Sequence, residues 1–182
     1  MVSRALLDRV AADVDKHVRE SKGYETESWI NPLTPVDSIA AFAMAKILTE
    51  GNAFDYCVSV APEGHVYGYF FEKCFGASTL SVHVDYPPRR CEILDDLSAI
   101  RGRRVLSLED DVASGTTLRY VIAALMQFEP ATLDLYLGRP KDGQVLEHVD
   151  PAIEVVYLAE DRLDPRQREQ YESQFVQFFE NT

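Results

Sequence analysis

A chain of 182 residues with 46% hydrophobic content can bury one core without disulfide or metal staples, and its apolar runs break before the roughly 18 residues needed to span a bilayer. Thirty acidic against eighteen basic residues give a net charge of -12, which opposes nonspecific attraction to nucleic acid or anionic lipid; no long basic patch offsets it. The N-terminal stretch carries acids within a helical pattern rather than a signal peptide's apolar run, so a cytoplasmic protein without a membrane segment is expected.

The first predicted helix covers residues 3–20, with Leu6, Leu7, Val10, Val14 and His17 or Val18 recurring on one face, and Gly23 stops it. Thr34 can cap a second helix whose first residue is Pro35 and whose third is Asp37, extending through Ile39, Phe42, Ala43 and Ile47 to Glu50 and Gly51. A short buried strand follows at 56–60, then the turn Ala61-Pro62-Glu63-Gly64-His65 and a helix near 66–75 that Gly76 closes. Residues 79–84 form the next strand. The stretch from Asp85 to Cys91, with Pro87 and Pro88, is expected as a loop, and 94–100 as a short helix.

Arg101-Gly102-Arg103 leads into the strand 104–108, after which Leu118, Val121, Ile122, Leu125 and Met126 define a helix ending near Phe128. Strands at 132–137 and 153–158 flank the turn Gly138-Arg139-Pro140-Lys141-Asp142-Gly143. A terminal helix at 165–179 presents Tyr171, Phe175, Phe178 and Phe179, a face for docking on the core or for a homodimer interface. This alternation predicts an α/β fold, a mostly parallel sheet flanked by helices, because each crossover helix covers a sheet face. Cys57, Cys74 and Cys91 are odd in number and widely spaced, and His17, His65, His83 and His148 lack ligand spacing, so buried thiols are expected and structural zinc is not.

The most informative segment runs Val105-Leu106-Ser107-Leu108-Glu109-Asp110-Asp111-Val112-Ala113-Ser114-Gly115-Thr116-Thr117. An apolar strand delivers acids to its carboxyl end, where ligands collect in open α/β sheets, and a small-residue turn then opens a helix. Gly115 permits a tight path, and the amides and hydroxyls of Ser114, Thr116 and Thr117 can meet a phosphate at a positive helix end. Glu109 and Asp110 can accept from ribose hydroxyls or hold magnesium through water. The same residues can instead simply cap a helix and solvate a sheet edge. Neither G-x-x-x-x-G-K-S/T nor G-x-G-x-x-G occurs, which disfavours a nucleoside-triphosphatase loop and a dinucleotide site.

This segment resembles the signature of type I phosphoribosyltransferases, an apolar strand, adjacent acids and a loop ending in Thr/Ser-Gly-x-Thr. The approach Ile100-Arg101-Gly102-Arg103-Arg104-Val105-Leu106 also looks like that family's entry to the strand. The resemblance extends over residues 31–161, with its specificity concentrated at 104–118. It implies a core at 31–161, an N-terminal segment 1–30 that can form a small hood, and a C-terminal helix at 162–182. It also implies binding of phosphoribosyl pyrophosphate with magnesium, and transfer of phosphoribose to a nitrogenous base.

Carried onto these positions, the resemblance gives Glu109 and Asp110 to the ribose hydroxyls and magnesium, Ala113, Ser114, Gly115, Thr116 and Thr117 to the 5-phosphate, and Asp111 and Val112 to binding of the same ligand. Ala113 stands where some purine enzymes have an acid near the base. Glu63 and Gly64 fall in the turn that holds pyrophosphate in the family, commonly Arg-Gly-Gly-like, and a carboxylate there departs from the pattern. Arg89 and Arg90 lie in a segment similar to the family's mobile cover, where they can reach the leaving pyrophosphate; a solvated loop is their plainer role. Gly138-Arg139-Pro140 matches the base-site region, and Asp161 an acid near magnesium. A noncatalytic sensor of a phosphoribosyl ligand is the competing expectation, because Glu63 would repel pyrophosphate.

Overall fold

The computed structural model describes residues 2–25, 37–85, 89–112, 114–139, 149–159 and 163–181. Helix α1, Arg4–Glu20, starts where the Ser3 hydroxyl accepts from the Leu6 amide at 3.2 Å, and it buries Leu6, Val10, Val14 and Val18 at four-residue intervals. Burial of each such side chain contributes about 1.5–3 kcal/mol before entropy is counted. Gly23, at φ +83°, ends the segment in a backbone conformation that side chains disfavour.

Helix α2, Ser38–Glu50, begins one turn later than expected. Asp37 is its N-cap rather than its third residue, because the short carboxylate satisfies the Ala40 amide at 3.1 Å. Thr34 and Pro35, assigned that role from sequence, lie outside the described residues.

Strand β1, Tyr56–Ala61, leads through a cis Ala61–Pro62 bond into α3, Gly64–Tyr69, which continues as a wider π turn at Phe70–Cys74. The helix starts two residues before the expected 66 because Gly64 tucks against the sheet: a Cβ there would lie 2.4 Å from the Leu108 carbonyl oxygen. Strands β2, Thr79–Asp85, and β3, Arg90–Ile93, form an antiparallel hairpin, so part of the expected loop is strand. An edge strand needs only one hydrogen-bonded neighbour, and the pairings Val84 with Cys91 and Asp85 with Arg90 supply it.

The expected helix at 94–100 contracts to one 3-10 turn, Leu97–Ile100. Strand β4, Arg104–Glu109, is followed by α4, Thr116–Leu125, and a 3-10 turn at Met126–Phe128. Strand β5 spans Thr132–Leu137, as expected, whereas β6 is shortened to Val156–Leu158. The Asp134 side chain takes the Val155 amide at 3.1 Å and draws the preceding chain out of regular pairing. Helix α5, Pro165–Glu180, opens with a capping box built by Asp164 and Gln167.

The sheet order is β3-β2-β1-β4-β5-β6, parallel throughout except for β3. Alternation along the strands splits the core into two layers. Cys57, Leu106, Leu108 and Tyr136 face α1, α2, α3 and α5, and Phe175 and Phe179 of α5 stack on Phe42 of α2 in that layer. Val58, Val60, Val82, Val84, Val105, Leu133, Leu135 and Leu137 face α4 and the 3-10 turn at Leu97. Among the described residues, no helix is long and apolar enough to cross a membrane.

Candidate phosphate site

From β1 the chain moves outward to β2 and β3, then returns to the other side of β1 as β4 and proceeds to β5 and β6. This reversal opens a crevice at the carboxyl ends of β1 and β4, the place where ligands bind in open α/β sheets. A cavity of about 300 Å³ lies there. Val60, Ala61 and Glu63 line it from the β1 side, Glu109, Asp110, Asp111 and Val112 from β4, and Ser114, Gly115, Thr116, Thr117 and Leu118 from the α4 start.

The α4 start follows from its residues. Gly115, the N-cap at φ +70°, adopts the left-handed region, and the first-turn amides of α4 follow directly from it at the cavity. The Ser114 hydroxyl lies 2.9 Å from that of Thr116 and 3.4 Å from the Thr116 amide, so this end is held by a short side chain that an anion's oxygen can replace.

The acids at the strand tip occupy different environments. Glu109 alternates with Leu108 and so projects on the α4 side, where it is buried. Burial, reinforced by Glu63, Asp110 and Asp111, pushes its pKa well above the ordinary carboxylate range and favours its uncharged form. Asp110 projects on the α3 side. It accepts from the Tyr67 hydroxyl and pairs with Arg139, whose Nη2 lies 2.8 Å from Oδ2. Burial and the adjacent carboxylate hold the Tyr67 hydroxyl far above its usual pKa, so it remains a donor.

Of the sequence-predicted residues, the cavity therefore gathers Glu63, Glu109, Asp110, Asp111, Val112, Ser114, Gly115, Thr116 and Thr117. Gly64 stands behind the lining, where it lets the turn approach Leu108. Arg89 and Arg90 are exposed at the β2–β3 hairpin and do not line the cavity. Ala113, Pro140 and Asp161 lie outside the described residues. Glu63 stands at the start of α3, without a side-chain cap, and lines the cavity.

Sequence reasoning did not single out Tyr67. Its link to Asp110 spans 43 residues, and the space it fills is marked by Gly138, where a Cβ would lie 1.9 Å from the Tyr67 ring, only once the chain has folded. Among the described residues, no group of three or more His, Cys, Asp and Glu side chains is arranged to hold a metal ion.

Fold and cavity define an α/β protein with a polar crevice at its switch point, and solved structures narrow the fold. The chain resembles purine phosphoribosyltransferase from Pyrococcus horikoshii, with TM-score 0.50 and 18% identity over 66% of this chain and 80% of that one. It also resembles a Bacillus anthracis hypoxanthine-guanine phosphoribosyltransferase, with TM-score 0.51 and 17% identity over 70% and 83% of the two chains. A structure of adenine phosphoribosyltransferase gives TM-score 0.52 and 18% identity over 65% and 76%. The fold is thus type I phosphoribosyltransferase-like, a central mixed sheet flanked by helices. No protein-family model matches the chain, and no curated protein matches it in sequence.

Proposed function

We propose that this protein binds phosphoribosyl pyrophosphate with magnesium in the β1–β4 cavity and transfers its phosphoribose to a nitrogenous base. The observation that carries this reading is that helix-start donors at 114–117 and strand-tip acids at 109–111 line one cavity. The donors suit the 5-phosphate, and the acids suit the ribose hydroxyls on the opposite side.

The lining carries Glu63, Glu109, Asp110 and Asp111 and, among the described residues, no Lys or Arg. A pyrophosphate entering alone would meet unfavourable charge, so magnesium would suit this site, and Glu109 and Asp110 are the residues that would hold it through water. Among the described residues, no cluster of three or more His, Cys, Asp and Glu side chains forms a cage for the ion. When bound, magnesium supplies charge compensation for the leaving pyrophosphate.

The remaining work is orientation. The turn at 114–117 fixes the phosphate end, Glu109 and Asp110 fix the ribose, and the anomeric carbon then faces the open side of the cavity. A base nitrogen forms the new bond there as the carbon–oxygen bond to pyrophosphate breaks, and pyrophosphate departs with the electron pair. Such transfer requires positioning and charge stabilisation, without an enzyme nucleophile.

Glu63 favours a second reading, a noncatalytic sensor that retains the 5-phosphate cradle, because its carboxylate adds negative charge to the cavity lining. Calorimetric titration with phosphoribosyl pyrophosphate, with and without magnesium, followed by pyrophosphate release over a panel of bases, separates the two. Magnesium-dependent binding with release on one base supports transfer; binding without release on any base supports the sensor. Absence of affinity for both phosphoribosyl pyrophosphate and ribose 5-phosphate refutes both.

A further inference from the structure

We propose that Tyr67 and Arg139 are positioning residues that lock the Asp110 carboxylate for ribose hydroxyls and so set a preference for ribose over 2-deoxyribose phosphates. This inference rests on the phosphoribosyl-binding reading of the same cavity and adds to it the groups that select the sugar.

Tyr67 is placed by packing. It is 1% exposed, its ring meets Tyr136 edge-on at 5.4 Å, and Gly138 lies directly against it. A side chain at 138 would occupy the space of the ring, with a Cβ 1.9 Å from Cε1 and Cζ, so the tyrosine fills a slot that only glycine leaves open. Its hydroxyl consequently has little freedom and donates to Asp110 Oδ1.

Arg139 holds the same residue at two points. Its amide donates to the Asp110 carbonyl at 2.8 Å, and its guanidinium donates to Oδ2 at 2.8 Å. Its buried Nε has no partner among the described residues, so the contact is end-on and leaves Oδ1 to Tyr67. The adjacent Gly138 amide donates to the Glu109 carbonyl at 3.0 Å, tying the end of β5 to the tip of β4.

This division matters because a carboxylate offers about four acceptor positions, two on each oxygen. Tyr67 uses one on Oδ1 and Arg139 one on Oδ2, which leaves each oxygen able to accept again. Asp110 lines the cavity, so adjacent sugar hydroxyls can take those positions without displacing the clamp. Removal of either protein donor lets the carboxylate rotate. Its contribution to a second hydroxyl is then lost, while the phosphate cradle at 114–117 is untouched.

The test measures affinities of the full chain for ribose 5-phosphate, 2-deoxyribose 5-phosphate and inorganic phosphate, in the wild type and in Y67F, R139Q and R139K. A hydrogen bond to a charged group predicts a wild-type preference for ribose of about tenfold. Y67F and R139Q are expected to bring that ratio close to one with phosphate affinity unchanged, and R139K to restore part of it.

A wild-type ratio preserved in folded Y67F and R139Q overturns the clamp, as does a fall in phosphate affinity that parallels the loss of ribose. A wild type that binds ribose 5-phosphate without preferring it over the deoxy sugar overturns the clamp alone. A wild type that binds neither sugar phosphate overturns both the clamp and the functional reading. If the buried Y67F change prevents folding, the Arg139 variants decide the matter, since that side chain is 30% exposed.

Discussion

Glu109 should destabilise the free protein as pH rises, and Glu109→Gln isolates the effect. In the unfolded chain this carboxyl loses its proton near the ordinary 4.5, whereas burial and neighbouring acids raise its pKa in the folded state. Between those two values the folded protein binds more protons than the unfolded chain, so stability falls with increasing pH. Below about 4.5 both states are protonated and the difference vanishes.

Gln keeps the shape and hydrogen-bonding character of the uncharged acid but cannot ionise. The stability of wild type relative to E109Q should therefore fall with pH, by at most about 1.4 kcal/mol per pH unit for one proton. Urea denaturation of both proteins in metal-free buffer, from about pH 5 to about pH 8, reads that difference directly. Because Glu63 contributes to the shift, Glu63→Gln in the wild-type background should narrow the pH window. A wild-type-minus-variant difference that stays flat, or that moves in favour of wild type as pH rises, refutes the assignment.

Gly115→Ala should cost about 1–2 kcal/mol, because residue 115 sits at φ +70°, and should also weaken ribose 5-phosphate binding; urea melts and calorimetry check the two effects. Phe175→Ala should cost about 3–5 kcal/mol, since its fully buried ring packs on Phe42 and Phe179; a loss under about 1 kcal/mol in urea would contradict that packing. Burial lowers the pKa values of His17 and His65, whose rings lie 6.2 Å apart between α1 and α3. Their contribution to stability is present above the unfolded value of 6.5 and is lost as pH falls through the lower folded values; NMR titration midpoints above 6.5 would contradict this.

Much of this fold is legible locally. The four-residue spacing of Leu6, Val10, Val14 and Val18 marks α1, and the apolar stretches of β1, β4 and β5 mark the strands at the sheet centre, where both faces are covered. The β3 strand escaped because an edge strand bears half the packing. Its mixed Arg-Cys-Glu-Ile sequence and the nearby prolines look like loop chemistry until β2 supplies the partner hydrogen bonds. The Glu109 to Thr117 motif exposed one side of the cavity, since strand, acids, glycine and helix start are contiguous. The Tyr67–Asp110–Arg139 contact escaped because three separate segments meet only after the sheet has ordered them.

The sheet order also explains why neighbouring acids take on different chemistry. The crossover after β1 places α3 on one sheet face and the crossover after β4 places α4 on the other, so the two turns approach the crevice from opposite sides. Because side chains alternate at a strand's tip, Glu109 turns toward the α4 layer and Asp110 toward Tyr67 and Arg139. Burial favours the protonated form of the first, which can donate as well as accept, and ion pairing gives the second fixed donors that define its acceptor directions. Two such groups can address different hydroxyls of one sugar, whereas a bare metal ion needs charged oxygens converging on one point. On the proposed reading, the contiguous Glu-Asp pair would therefore orient one ligand through two different hydroxyls rather than act as a single ligand point.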